Sequence, residues 1–329
     1  MNIAILGAGA WGTALAASLS ARHRVALWAR SATQAAAMSA VRRNERYLPE
    51  IYLPEVLRIT SDFQAAIQDA ELIIAVVPVS ALRETLQRIA RHGATVPVVW
   101  ACKGFEAETA QLPHQIAAAV LPPAIPRGAL SGPSFALEVA RNLPTALTLA
   151  SPDEAFAASA AQALHHARLR IYSSNDIVGV ETGGAVKNVL ATAAGISDGM
   201  GFGYNARAAL ITRGLAEMTR LGLKLGGRAE TLGGLSGAGD LILTCTGDLS
   251  RNRQVGLLLA QQNALPDILR HLGHVAEGVY TVREVHRLAQ KQDVDMPIVS
   301  AVYHVLYEDI PAASAVEALL SRQPYSEFR

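Results

Sequence analysis

The chain has 329 residues, half of them hydrophobic and 17% charged, enough material for two domains with sizeable cores. Lys plus Arg number 29 against 28 Asp plus Glu, so the basic excess expected of a nucleic-acid-binding surface is missing. The two cysteines, Cys102 and Cys245, lie far apart without metal-ligand spacing, which argues against a disulfide framework or a zinc site.

At the N-terminus, Ile3 through Ala21 carries no charge. It has no basic leader, and Gly7, Gly9 and Gly12 interrupt the apolar run. It therefore reads as a core strand followed by a small-residue helix rather than a signal or a membrane span. The expected location is cytoplasmic. Short apolar runs at 2–6, 25–28, 72–76, 96–100, 129–131, 146–149 and 170–172 alternate with helical patterns such as 14–21, 81–91 and 154–165. Strands that are continuously apolar belong in a parallel sheet covered on both faces. The first half is thus expected to be α/β, a doubly wound sheet.

Gly7-Ala8-Gly9-Ala10-Trp11-Gly12 matches GxGxxG and stands between the first strand and the first helix. That context makes it a Rossmann-type dinucleotide turn. Gly7 permits the tight turn, Gly9 lets the backbone approach a pyrophosphate, and Gly12 lets the helix pack on the strand. The free N–H groups of the helix then face the phosphates. After the second strand, Leu27-Trp28-Ala29-Arg30-Ser31 lacks the carboxylate that would hold a ribose 2′-hydroxyl. Arg30 is placed to clamp a 2′-phosphate, so NADP is favoured over NAD. Val77-Pro78 and Lys103-Gly104 follow strands, where ligands bind in open α/β sheets.

Pro122-Pro123-Ala124-Ile125-Pro126 reads as a rigid loop, and Ser131-Gly132-Pro133-Ser134-Phe135-Ala136 as a small-residue turn bearing a hydroxyl. Beyond about residue 174 the strand patterns stop. Residues 1–177 are expected to form the dinucleotide-binding domain and 178–329 an all-helical substrate domain. Within the latter, Lys187 lies in Gly183-Gly184-Ala185-Val186-Lys187-Asn188-Val189-Leu190, a helix without a polar face to explain a lysine. Desolvation there would lower its pKa into the range of general acid/base work. A third segment, Gly233 to Leu241, supplies Asp240, which would orient Lys187 or bind a hydroxyl. Ser250-Arg251-Asn252-Arg253 adds an arginine fork for phosphate. The nine histidines are scattered, with no metal-ligand cluster, GxSxG or Ser/His/Asp order. Hydride transfer with lysine as proton donor fits best.

Taken together, GAGAWGTALA, ACKGFE, LSGPSFA, GGAVKNVLATAAGISDG, GLSGAGDLILTCTGDLSRNR and VAEGVYT resemble the NAD(P)-dependent glycerol-3-phosphate dehydrogenases of bacterial type along nearly the whole chain. The resemblance implies reversible reduction of dihydroxyacetone phosphate to sn-glycerol 3-phosphate for phospholipid synthesis, by a cytoplasmic homodimer. It implies Lys187 as the general acid/base. Lys103, Gly132, Ser134, Asp240, Ser250, Arg251 and Asn252 would line the substrate pocket with it. Gly7, Gly9, Ala10, Trp11, Gly12, Arg30, Lys103, Ala136, Arg251, Val275 and Glu277 would contact the cofactor. Ala10 stands where related enzymes often carry serine or asparagine, which removes one side-chain contact. Two other readings compete: a reductase of the β-hydroxyacid or 6-phosphogluconate dehydrogenase type, which the Ser250-Arg251-Asn252 segment disfavours, and a non-catalytic NADP sensor, which would need neither Lys187 nor Arg251.

Overall fold

The computed structural model describes residues 1–93, 95–272 and 277–322. Its strands are β1 (Asn2–Leu6), β2 (Arg24–Trp28), β3 (Arg43–Asn44), β4 (Leu48–Tyr52), β5 (Arg58–Thr60), β6 (Leu72–Ala75), β7 (Val98–Trp100), β8 (Arg127–Ser131), β9 (Thr145–Ala150) and β10 (Leu169–Ser174). Eight of them form one sheet in the order β10-β9-β8-β7-β6-β1-β2-β5, while β3 and β4 make a separate ribbon. The central strands β1, β6 and β7 are buried on both faces. Alternate residues point to opposite sides, so Ile3, Ile5, Ile74 and Val99 join one core layer and Ala4, Leu6, Ile73, Val98 and Trp100 the other.

The sheet departs from the all-parallel expectation at one edge. β8 and β9 are antiparallel and β10 runs parallel to β9, so the last two strands oppose the rest. A parallel return needs a crossover of about a dozen residues, usually a full helix. Residues 132–144 hold only the short helix Ala136–Ala140, so the chain stays at the end of the sheet where β8 finished. Of these last two strands, β10 exposes alternate residues and β9 leaves alternate residues half-buried. The ribbon β3–β4 and the edge strand β5 lie outside the expected runs: β3 and β5 are short, and the exposed Pro49 and Glu50 interrupt β4.

The helix Ile177–Gly199 opens the helical part and is buried along almost its whole length. Glycines let its neighbours come close. A Cβ on Gly195 would lie 2.0 Å from the Arg253 carbonyl oxygen, and one on Gly256 would lie 2.1 Å from that of Thr192. The helix Arg251–Ala260 therefore crosses it backbone to backbone, which carries Ser250, Arg251 and Asn252 towards Lys187. Another contact closes this layer. The helix Pro297–Tyr307 begins at Met296, which has no side-chain acceptor. Glu217, on the helix Gly203–Lys224, accepts instead from Ile298 N (2.8 Å) and Val299 N (3.2 Å). Burial pushes the Glu217 carboxyl up to about 7.

The two core regions interlock. Ile177 and Val180 of the long helix pack with the sheet layer, and Phe105 and Leu112, from the loop after β7, pack into the helical core. Cys102 and Cys245 are free and buried, and burial raises both thiols, Cys245 to about 12. Among the described residues, no helix is long and apolar enough to cross a membrane.

Candidate active site

Each glycine of the first turn has its own steric reason. Gly7 has φ +121, and a Cβ there would lie 2.2 Å from the Val76 carbonyl oxygen. A Cβ on Gly12 would lie 1.9 Å from the carbonyl oxygen of Gly7, whereas Gly9 faces open space. Gly9 caps the helix Ala10–Leu19 without any side-chain hydrogen bond, so the N–H groups of its first turn are left for an anion. The turn is also held from outside. The Ala8 carbonyl accepts from Gln34 Nε2 (2.9 Å) and Asn44 Nδ2 (3.0 Å), and Asn44 Nδ2 also donates to Thr13 Oγ1 (2.8 Å). A turn anchored on its inner side and bare on its outer side fits a dinucleotide pyrophosphate. Ala10 and Trp11 are half-buried on it, and Arg30 is exposed just beyond β2.

Across the sheet ends lies a cluster of two amines and a carboxylate. Lys187 is 7% exposed, and its Nζ donates to Asp240 Oδ1 (2.6 Å) and Thr244 Oγ1 (2.9 Å). Lys103 Nζ donates to the other oxygen, Asp240 Oδ2 (2.6 Å), and to the Gly132 carbonyl (3.2 Å). Asp240 itself is 1% exposed. Burial is the main force on Lys187 and pulls its ammonium down to about 8. The Asp240 carboxylate opposes that pull and Lys103 reinforces it. Local sequence makes room for this packing. A Cβ on Gly184 would lie 3.0 Å from Ser131 Oγ and 3.4 Å from Lys103 Cγ, so the lysine stem runs over a gap in the helix. Asp240 follows a π-turn at Leu235–Gly239, a rare irregularity that recurs at functional sites.

Other expected residues lie on the turn after β8 and on the helices beyond Asp240. Gly132 has φ +138, and Ser134 Oγ donates to its carbonyl (3.1 Å). Asn252 Nδ2 donates to Asn188 Oδ1 (2.9 Å), and its own Oδ1 accepts from Gly278 N (3.1 Å). Ser250 Oγ accepts from Arg253 N (3.3 Å) and caps the helix on which Arg251 is the exposed first residue. Arg253 turns away to Asp198 (2.7 Å). Burial raises the Glu277 carboxyl, against the pull of Arg251, Lys103 and Lys187. Ala136 opens the short helix after β8, half-buried. Val275 falls outside the described residues. Sequence reasoning missed Asn44, whose ribbon carries no glycine signal, and Asn188 as the partner of Asn252. It also passed over Glu181, a carboxylate in the same apolar helix as Lys187 and open to the same argument.

The sequence matches the model for the NAD-dependent glycerol-3-phosphate dehydrogenase N-terminus over residues 2–157 and that for the C-terminus over residues 176–317. It is 61% identical over 332 residues to a glycerol-3-phosphate dehydrogenase [NAD(P)+] from Nitrosospira multiformis, covering all of both chains. The corresponding protein of Thiobacillus denitrificans is 58% identical, again over all of both. Among solved structures, the glycerol-3-phosphate dehydrogenase of Coxiella burnetii superposes with a TM-score of 0.93 at 44% identity, over 98% of this chain and 99% of that one.

Proposed function

The chain belongs to the NAD-dependent glycerol-3-phosphate dehydrogenase family, and from that premise we propose how its own residues carry the reaction. It is an NAD(P)-dependent oxidoreductase that interconverts dihydroxyacetone phosphate and sn-glycerol 3-phosphate. Neither the β-hydroxyacid or 6-phosphogluconate type of reductase nor a non-catalytic sensor is favoured. When bound, the nicotinamide supplies the hydride equivalent to C2 of the ketone.

The observation that carries the reading is the buried Lys187 amine, 2.6 Å from Asp240 and lowered to about 8. Lys187 Nζ gives its proton to the oxygen on C2 during reduction and takes it back during oxidation, a role suited to an amine poised near working pH. Lys103 faces the same carboxylate and stabilises the negative charge that grows on that oxygen. Asp240 orients both amines. Arg251 and Asn252 hold the substrate phosphate, so that remote binding energy positions the reacting carbon. Ser250 fixes the helix start that presents them, and Gly132 and Ser134 form the wall beside Lys103.

For the cofactor, the Gly7–Gly12 turn with Ala10 and Trp11 takes the pyrophosphate, Ala136 and Glu277 lie toward the nicotinamide end, and the family resemblance adds Val275 to the cofactor contacts. Arg30 supports a preference for NADPH, since its exposed fork can pair with a 2′-phosphate. The family resemblance supports a cytoplasmic homodimer that feeds phospholipid synthesis.

Mixing the protein with NADPH and dihydroxyacetone phosphate, and following reduced-nicotinamide absorbance, is expected to give turnover faster than with NADH. Lys187→Ala is expected to cut that turnover by roughly 10² to 10⁴ with little change in NADPH affinity. Near-normal turnover in the variant would refute the role of Lys187.

A further inference from the structure

Six residues before Lys187 on the same helix stands a second buried charge, Glu181, 5% exposed. Its two oxygens look outward to different elements. Oε1 accepts from the indole Nε1 of Trp100 (2.7 Å), the fully buried last residue of β7. Oε2 accepts from His114, from the ring Nδ1 (2.6 Å) and the backbone N (3.2 Å). His114 lies in the first turn of the helix Pro113–Val120, whose N-cap, Leu112, has no acceptor in its side chain. Glu181 thus supplies, from a distant helix, an acceptor that the sequence at residue 112 cannot provide.

Trp100 precedes Lys103 by three residues, and His114 follows the loop that Lys103 begins. One carboxylate therefore holds both ends of the Lys103 loop against the helix that bears Lys187. We propose that Glu181 is a positioning residue for the reaction: by bracketing residues 100–114 it sets the distance between the two active-site amines across Asp240. This inference rests on the role given above to Lys187. The separation matters because both amines sit 2.6 Å from one carboxylate. Displacements on the order of 1 Å at such sites cost up to about 10²-fold in rate.

The test compares Trp100→Phe and Glu181→Gln. The first removes one donor and changes no charge. The second has one carbonyl oxygen where two acceptors are required, so one end of the loop is released. Both are expected to lower kcat by roughly 10- to 100-fold, with NADPH affinity kept. Lys103 repulsion lowers the Lys187 amine, so releasing Lys103 is expected to move the basic limb of the kcat–pH profile upward in both variants. A direct charge effect would do the opposite, because deleting a nearby anion makes an ammonium harder to keep. His114→Ala removes the ring donor to Glu181 and keeps the backbone donor. It should therefore fall between wild type and Glu181→Gln, and it stands in if Trp100→Phe does not fold. If folded variants keep wild-type kcat and pH profile, or if the limb moves downward in Glu181→Gln, the proposal is overturned. The role of Lys187 would survive that result, since inactivity of Lys187→Ala is read separately.

Discussion

The Lys187 amine is governed by opposing forces of known sign. Burial and Lys103 disfavour its charge, and Asp240 restores part of it, leaving the group near pH 8. Reduction needs the ammonium, so its rate should be level below about pH 8 and fall above it. Oxidation needs the free amine and should rise through the same range. Asp240→Asn removes the anion that Lys187 contacts directly and that raises its amine. Its basic limb for reduction is therefore expected to lie below that of wild type, with kcat down about 10- to 100-fold because an amide cannot accept from both lysines. A pH–rate profile in the forward direction reads this, and a limb that stays near 8 or moves up contradicts it. Lys187 was legible in the sequence because its helix offers no polar face. The double engagement of Asp240 was not, since Lys103 lies 137 residues away and no local pattern encodes that meeting.

Among the elements, the crossing of the helices Ile177–Gly199 and Arg251–Ala260 decides where the substrate arm sits. Because a Cβ on Gly195 would lie 2.0 Å from the Arg253 carbonyl and 3.0 Å from Gly256 Cα, Gly195→Ala forces the two backbones apart. Overpacking of this kind typically costs about 1–3 kcal/mol, and here it also draws Asn252 away from Asn188. Denaturant unfolding should record the loss. Steady-state kinetics should show a raised KM for dihydroxyacetone phosphate and an unchanged KM for NADPH, and an unchanged substrate KM would disprove the account. The main strands were readable because central parallel strands are apolar without interruption. The direction of β9 was not, because it depends on how far the preceding segment reaches. The signal that the last two strands are not fully buried was nevertheless present in Thr148, Arg170 and Tyr172, which break the apolar runs.

At the level of the whole molecule, a division into a nucleotide lobe and a helical lobe invites the expectation of two independent unfolding events. The packing argues otherwise. Phe105, 3% exposed, belongs by sequence to the sheet region yet lies in the helical core, while Ile177 and Val180 belong by sequence to the first helix of the other region yet complete the sheet layer. Neither core can open without exposing part of the other, and the Asp240 cluster bridges the same boundary. Calorimetry is therefore expected to give a single transition, with the calorimetric and van't Hoff enthalpies equal within error. Phe105→Ala, a large truncation of the sort that costs about 3–5 kcal/mol in a core, should lower that one transition as a unit. If instead a second, unshifted peak separates in the variant, the two cores are energetically independent, and the shared residues only touch across the boundary without coupling it.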